Sequence, residues 1–368
     1  MAEVTRRLDR VETLQTSMRD LGVDLVVVGP SANMRYLTGY RAMAVERITV
    51  LLVTPTAVAM VMPYFDVDEF RELTGIDAVF EWTDSEGPQR AIERAFSALD
   101  VPGGRMAAAV DDELRFDFWT QLRDRIDGHP RRASELLAPL RLSKSADELE
   151  KIRRAGELVS SGIAAALEHA RPGMTELELK RVIENALWDG GAESADFVLV
   201  QAGANSASGH HQADDTPIRP GEPVLVDIAA RADGYFADIT QQVFLGEPPE
   251  RYKEMYQVVA DAQEAGVQAV REGARACEVH EAASAVIDAA GFGEWSGPRT
   301  GHGIGLDVHE PPSVVDTDAT VLPVGAVITV EPGIYISGEF GIRIEDTVLV
   351  RAGAPERLTR GARALFSK

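Results

Sequence analysis

The stretch VDIAARADGYFADIT, Val226 to Thr240, decides the fold. Apolar runs flank Asp233-Gly234, a turn-forming pair, and read as two antiparallel strands. With a four-residue loop, Arg231 to Gly234, Asp227 and Asp238 stand directly opposite each other. Their side chains then share one face, with Cβ atoms roughly 5 Å apart. Like charges so placed repel, and aspartate is disfavoured inside strands, so something positive is expected between them. The plain alternative is an aspartate exposed at a strand end, and only the rest of the chain can decide.

Downstream, GHGIGLDVHEPP (Gly301 to Pro312) sets two imidazoles, His302 and His309, in a glycine-rich segment where backbone can approach closely. The glycine spacing is wrong for a dinucleotide-binding GxGxxG, and the prolines after His309-Glu310 exclude a zinc-protease HExxH helix. Further on come VEPGIY (Val330 to Tyr335) and GIRIEDTVLV (Gly341 to Val350). Read as one strand from Ile342 to Val350, the latter projects Arg343 and Glu345 from one face and packs Ile342 and Ile344 on the other. Glu331 and Glu345, on successive strands, can converge on one point. Asp227, Asp238, Glu331 and Glu345 with a neutral His302 then carry four negative charges, which two divalent cations balance. Without metal, four clustered carboxylates could not all stay ionised. Oxygen-rich ligands with a single nitrogen suit Mn²⁺ or Co²⁺, with Zn²⁺ or Fe²⁺ open.

The 368 residues suit two domains. Leu8, Val11, Leu14, Met18 and Leu21 form the stripe of an amphipathic helix that stops at Gly22. A buried strand and further mixed elements follow, giving an α/β domain over residues 1–139. Ser145 and Glu148 have capping-box spacing, so a long helix starts there. It opens a second domain, 140–368, read as α+β with antiparallel strands.

The formal net charge of -22 argues against nucleic acid or an anionic membrane surface as partner. No apolar run is long enough to span a bilayer, and the charged N-terminus does not read as a signal peptide. The single cysteine, Cys277, excludes an intrachain disulfide, and a cytoplasmic location is expected. Only five of the 37 basic residues are lysines. With the acidic excess, that fits either a salt-rich cytoplasm or a genome favouring arginine codons.

These motifs together resemble the creatinase, prolidase and methionine aminopeptidase superfamily, which has the pita-bread fold. The likeness runs from Leu142-Ser-Lys-Ser through the four motifs quoted above and covers the second domain. RLDRVETLQTSMRDLGVDLVVV and YLTGY in the first domain are similar to prolidases, aminopeptidases P and creatinases. The resemblance implies an α/β N-terminal creatinase/prolidase-type domain and a catalytic α+β pita-bread domain. By position it implies that Asp227 chelates one metal, Asp238 and Glu345 bridge both, and His302 and Glu331 complete the second. It makes Glu331 the general base, and His210, in SGHHQADDTPIRPG, with His309 the substrate-contacting imidazoles; Arg343 also matches. The implied activity is hydrolysis of the N-terminal Xaa-Pro bond of dipeptides or short peptides, by a homodimer. An ectoine-hydrolase-like enzyme of a modified amino acid and a non-catalytic binding module are the alternatives. The chain departs from relatives at Ala229, Gln241, Pro298 and Ser313. Many relatives have a substrate-contacting His at the third of these, and many prolidases an Arg at the fourth.

Overall fold

The computed structural model describes residues 2–100, 106–126, 129–361 and 365–367; Met1 and Lys368, the outer limits of the expected domains, lie outside them. The chain divides into two compact units, 1–141 and 142–368. Among the described residues, no helix is long and apolar enough to cross a membrane.

The first unit opens with α1 (Ala2–Leu21), β1 (Leu25–Val28), α2 (Ala32–Thr38), β2 (Val50–Val53) and β3 (Val58–Pro63). There follow α3 (Val67–Thr74), β4 (Val79–Trp82), α4 (Gln89–Ala98), β5 (Ala108–Val110), α5 (Phe116–Leu122), β6 (Arg131–Arg132) and α6 (Ser134–Leu142). The strands make one mixed sheet in the order β4-β3-β2-β1-β5-β6. β1 and β2 are buried at every position, which is why they read as short apolar runs rather than alternating ones. Of the α1 stripe, Val11, Leu14 and Met18 are buried, whereas Leu8 and Leu21 at its ends are exposed. Gly22 ends the helix in the left-handed region, at φ 65°.

The second unit begins with α7 (Ala146–His169), whose capping box pairs Ser145 and Glu148 reciprocally. α8 (Glu176–Asp189) starts with another box, Thr175 and Glu178. Then come β7 (Ser194–Ala202), β8 (Pro223–Ala232), β9 (Tyr235–Phe244), α9 (Glu250–Ala269) and α10 (Ala276–Ala289). Short strands finish the unit: β10 (Gly301–Gly303), β11 (Glu310–Val314), β12 (Val327–Val330), β13 (Gly333–Ile336), β14 (Phe340–Arg343), β15 (Asp346–Leu349), β16 (Glu356–Arg357) and β17 (Phe366–Ser367). One sheet runs β17-β9-β8-β7, a second β11-β10-β12-β15-β16, and β13-β14 is a separate hairpin.

Helices cover both sheets. Leu158, Val159 and Ile163 of α7 and Leu179, Ile183 and Leu187 of α8 pack on Val226, Ile228 and Ile239 of β8 and β9. Val267 of α9 and Val279 of α10 pack on Ile328 and Val330 of β12 and Val348 of β15. The backbones come close: a Cβ on Gly266 of α9 would sit 2.8 Å from Val330 Cγ1.

Two readings of the strands are corrected. Ala232 pairs with Tyr235, so the β8–β9 turn is the two residues Asp233-Gly234, both at positive φ (48° and 89°), the twist that a tight hairpin requires. Asp227 therefore faces Thr240, and Asp238 faces Ala229. The two carboxylates are diagonal neighbours on one face rather than directly opposite. Likewise Ile342 to Val350 is not one strand: it breaks at Ile344-Glu345, between β14 and β15. Ile342 and Ile344 still pack together in the core.

Candidate metal centre

Asp227, Asp238 and His302 lie within β8, β9 and β10, whereas Glu331 and Glu345 sit where one element hands over to another. Glu331 follows β12 and Glu345 precedes β15, and these strands pair antiparallel with Val330 opposite Asp346. The two glutamates thus flank one end of the same ladder, with the β13-β14 hairpin between them in the chain. The Glu345 N–H donates to the Thr240 carbonyl at 3.1 Å, tying this end of the second sheet to β9. The Glu331 N–H donates to the Thr300 carbonyl at 2.7 Å, beside the start of β10. His302 lies within β10, where Gly303 is required: a side chain there would collide with the carbonyls of Glu310 and Pro311.

The result is a cavity of about 770 Å³ lined by His210, Asp227, Asp238, His302, His309, Glu331, Arg343 and Glu345 among others. All eight residues singled out from the sequence border this one space. One oxygen each of Asp238 and Glu345 and a ring nitrogen of His302 lie within 4.8 Å of one another.

Hydrogen bonds aim these groups. His302 Nδ1 lies 2.9 Å from the Gly303 carbonyl, which can only accept. The proton is therefore on Nδ1, and the Nε2 lone pair faces the carboxylates, 3.4 Å from Glu331 Oε1. Burial and the Arg299 charge keep this imidazole neutral against the pull of the Gly303 carbonyl, lowering its pKa to about 4. Arg343 fans out over the floor: Nη2 to Asp227 Oδ2 at 2.6 Å, Nε to Thr240 Oγ1 at 3.1 Å, Nη1 to the Tyr335 hydroxyl at 2.9 Å. Thr240 in turn donates to Glu345 Oε2 at 2.6 Å.

That scaffold satisfies one oxygen of Asp227 and one of Glu345. Asp227 Oδ1, Asp238 Oδ1 and Glu345 Oε1 are buried with no hydrogen-bond partner. An unmet buried carboxylate oxygen is costly unless a cation takes it. Burial first, and then the neighbouring carboxylates, push Asp238 and Glu345 well above the ordinary carboxylate range; burial also raises Glu331. Four carboxyls and one correctly oriented imidazole, with lone pairs facing each other, are the donor set of a divalent-metal site, so the residues fit such ions.

The two substrate-side histidines differ. His309 stacks edge-on against His302, with ring centroids 4.3 Å apart, and its pKa is lowered to about 4 by burial and by His302. His210 is exposed on a loop at the cavity wall. Glu176 anchors that loop. It is fully buried, and its Oε1 accepts from Ala202 N at 2.7 Å and Asn205 Nδ2 at 3.0 Å. Its Oε2 takes His211 Nε2 at 2.8 Å and Asp214 N at 3.2 Å. Glu176, His211 and Asp214 also lie close enough to hold a metal. The protein's own donors already occupy Glu176, so this cluster is a loop fastening.

Four residues escaped the sequence reading. Thr240 was visible in principle, being two positions from Asp238 on the same strand face. Tyr335 and Glu176 give no local signal, because their partners are eight or more positions away. Arg299 lies three residues before His302, and its Nη2 reaches His309 Nε2 at 3.2 Å. Of the positions that depart from relatives, Pro298 lines the cavity, whereas Ser313 is on β11 outside the lining.

Comparison with known proteins agrees with this geometry. Residues 150–352 match Metallopeptidase family M24, and residues 10–143 match the Creatinase/Prolidase N-terminal domain. A probable dipeptidase PepE of Mycobacterium tuberculosis is 33% identical over 354 residues, 95% of this chain and 92% of that protein. An Xaa-Pro dipeptidase of Pyrococcus horikoshii is 30% identical over 360 residues, 97% of this chain and 99% of that one. The crystal structure of dipeptidase PepE from Mycobacterium ulcerans superposes with a TM-score of 0.92 at 31% identity, covering 99% of this chain and 98% of that one. With its carboxylate-rich centre, its pita-bread second unit and its creatinase/prolidase-type first unit, the chain belongs to metallopeptidase family M24.

Proposed function

We propose that the protein is a dinuclear metallopeptidase that hydrolyses the Xaa-Pro bond of dipeptides or short peptides. The observation that carries this is the set of buried oxygens on Asp227, Asp238 and Glu345 that have no hydrogen-bond partner among the described residues, with Asp238 and Glu345 clustered with His302. In this reading Asp227, Asp238, His302, Glu331 and Glu345 would hold the two metal ions. Manganese is the proposed metal, since the donors are four carboxylates and one imidazole. Two divalent cations bound there would supply Lewis acidity, lowering the pKa of water and polarising the scissile carbonyl.

The chain's own groups do the remainder. Glu331, with a pKa raised by burial, takes a proton from the attacking water and passes it to the leaving nitrogen as the C–N bond breaks. His309 and His210, which border the cavity, hydrogen-bond the carbonyl oxygen as it gains charge. Arg343 orients Asp227 through its hydrogen bond to Oδ2. A proline imide nitrogen carries no N–H, so the shape of the wall formed by Phe197, Trp295 and Tyr335 selects it. We further propose a cytoplasmic homodimer; a buried Cys277 and the lack of any disulfide fit a reducing compartment.

The test is to assay Xaa-Pro dipeptides, Xaa-Pro tripeptides and non-proline dipeptides side by side in Mn²⁺, Co²⁺ and Zn²⁺. Metal-dependent release of proline, lost in Glu331→Gln, is expected. Hydrolysis of non-proline peptides alone, or none with any metal, contradicts the reading.

A further inference from the structure

A deeply buried ion pair stands beside the candidate metal centre without belonging to it. Lys144 Nζ lies 2.8 Å from Glu310 Oε1, and the two side chains are 2% and 4% exposed. Neither residue is among those lining the catalytic cavity. Glu310 is nevertheless the residue after His309, and across β10 and β11 it pairs with Gly303, the residue after His302. The pair thus closes a loop, residues 304–309, that carries His309. The Glu310 carboxylate also reaches back over this loop: a Cβ on Gly305 would sit 2.7 Å from Glu310 Oε1, the oxygen that Lys144 pins. Lys144 is itself well anchored. Its N–H donates to the Gly325 carbonyl at 2.9 Å, and Ser143 Oγ donates to the Val324 carbonyl at 2.8 Å, tying the start of α7 to the segment that leads into β12. His309 is exposed, so the set of its loop decides where the ring stands.

Stability alone does not account for such a pair. Desolvating two charges costs about as much as their attraction returns, and two apolar side chains of similar volume would serve the core as well. What the pair adds is direction, since a buried carboxylate must meet its ammonium in one place. From this geometry we infer that Lys144 and Glu310 are positioning residues for His309, setting the 304–309 loop so that the imidazole reaches the scissile carbonyl oxygen. This rests on the function proposed above. Neither residue touches substrate. Both act through His309, whose hydrogen bond strengthens as that oxygen gains charge. A ring misplaced by about 1 Å can cost roughly a hundredfold in rate. Because the interaction matures in the transition state, the loss falls on kcat rather than on KM.

The experiment compares the full-length, Mn²⁺-loaded wild type with Lys144→Met and with the double variant Lys144→Met, Glu310→Leu, each also carrying His309→Ala. Tm is recorded, and kcat and KM for Ala-Pro are recorded separately. Lys144→Met strands a buried carboxylate, so its Tm is expected to fall. The double variant leaves no charge unpaired and should regain a Tm within about 3 °C of the wild type. Its kcat nevertheless stays down by about tenfold or more, while KM shifts less than about threefold. Once His309 is alanine, the same double change lowers kcat by less than about threefold further, because the group it positions is gone. The assignment is overturned if kcat recovers along with Tm, or if the two losses multiply in full. A double variant that does not fold, or whose Tm stays as low as that of Lys144→Met, makes the pair a stabilising device and overturns it too. A wild type that leaves Ala-Pro intact overturns the functional reading itself, and this one with it, before any variant is compared.

Discussion

At the residue scale, the site is an arrangement of groups that are each half satisfied. Asp227, Asp238 and Glu345 each keep one buried oxygen without a partner, and burial and mutual repulsion hold Asp238 and Glu345 protonated above the usual carboxylate range. Metal competes with protons for these carboxyls, so affinity should rise with pH. Calorimetry in buffers of differing ionisation enthalpy, repeated across a pH series, should show proton release on Mn²⁺ binding that diminishes as pH rises; none at any pH would contradict the raised carboxyls argued here. Thr240 aligns both Arg343 and Glu345, so Thr240→Val should weaken metal binding by about tenfold to a hundredfold, measured by competition with a chelator. An unchanged affinity would mean that these hydrogen bonds do not orient the ligands. The ligand types were legible in the sequence because Asp in a strand and His among glycines break local rules. Most of their supports were not: Tyr335 and Arg299 are ordinary residues whose importance arises only when the chain brings them to Arg343 and His309.

At the element scale, the capping boxes, the helix start at residue 146 and the turn at Asp233-Gly234 follow from local chemistry, and the structure has them. Register did not follow. Whether Asp227 meets Asp238 or Thr240 depends on turn length, and a two-residue turn shifts the pairing from the four-residue assumption. A recurrence also went unread: α8 spans Glu176–Asp189 and α10 spans Ala276–Ala289, 100 positions on, each following a longer helix. Its sequences have diverged, and only the placement repeats. Glu176 at the start of α8 has no acidic counterpart, since Ala276 stands there. Four donors, one at the end of β7 and three from the segment after it that bears His210, converge on its carboxylate. Glu176→Ala leaves the buried Ala202 N–H without an acceptor and releases three part-buried donors, and should cost roughly 2 kcal/mol. Chemical denaturation checks this, and a loss under about 0.5 kcal/mol, the size of an ordinary surface substitution, would contradict the fastening.

At the scale of the whole molecule, pH and metal should act on stability together. His302 and His309 have folded pKa values of about 4, below the 6.5 of an exposed imidazole. As pH falls, the unfolded chain binds their protons first. This contribution to stability is therefore complete above about pH 6.5 and lost progressively down to about pH 4. The raised carboxyls act in the opposite sense: without metal, the native state loses stability as pH rises through their folded pKa values. The gain in Tm on adding Mn²⁺ should thus grow as pH rises, whereas a gain independent of pH would contradict that coupling. All of this depends on ligands from β8, β9, β10 and the ends of β12 and β15 holding two ions in one cavity. Anomalous diffraction from Mn²⁺-soaked crystals tests that most directly. Two peaks about 3.5–4 Å apart, bounded by Asp227, Asp238, His302, Glu331 and Glu345, are predicted. A single peak elsewhere, or these side chains turned away from an empty cavity, would contradict the account.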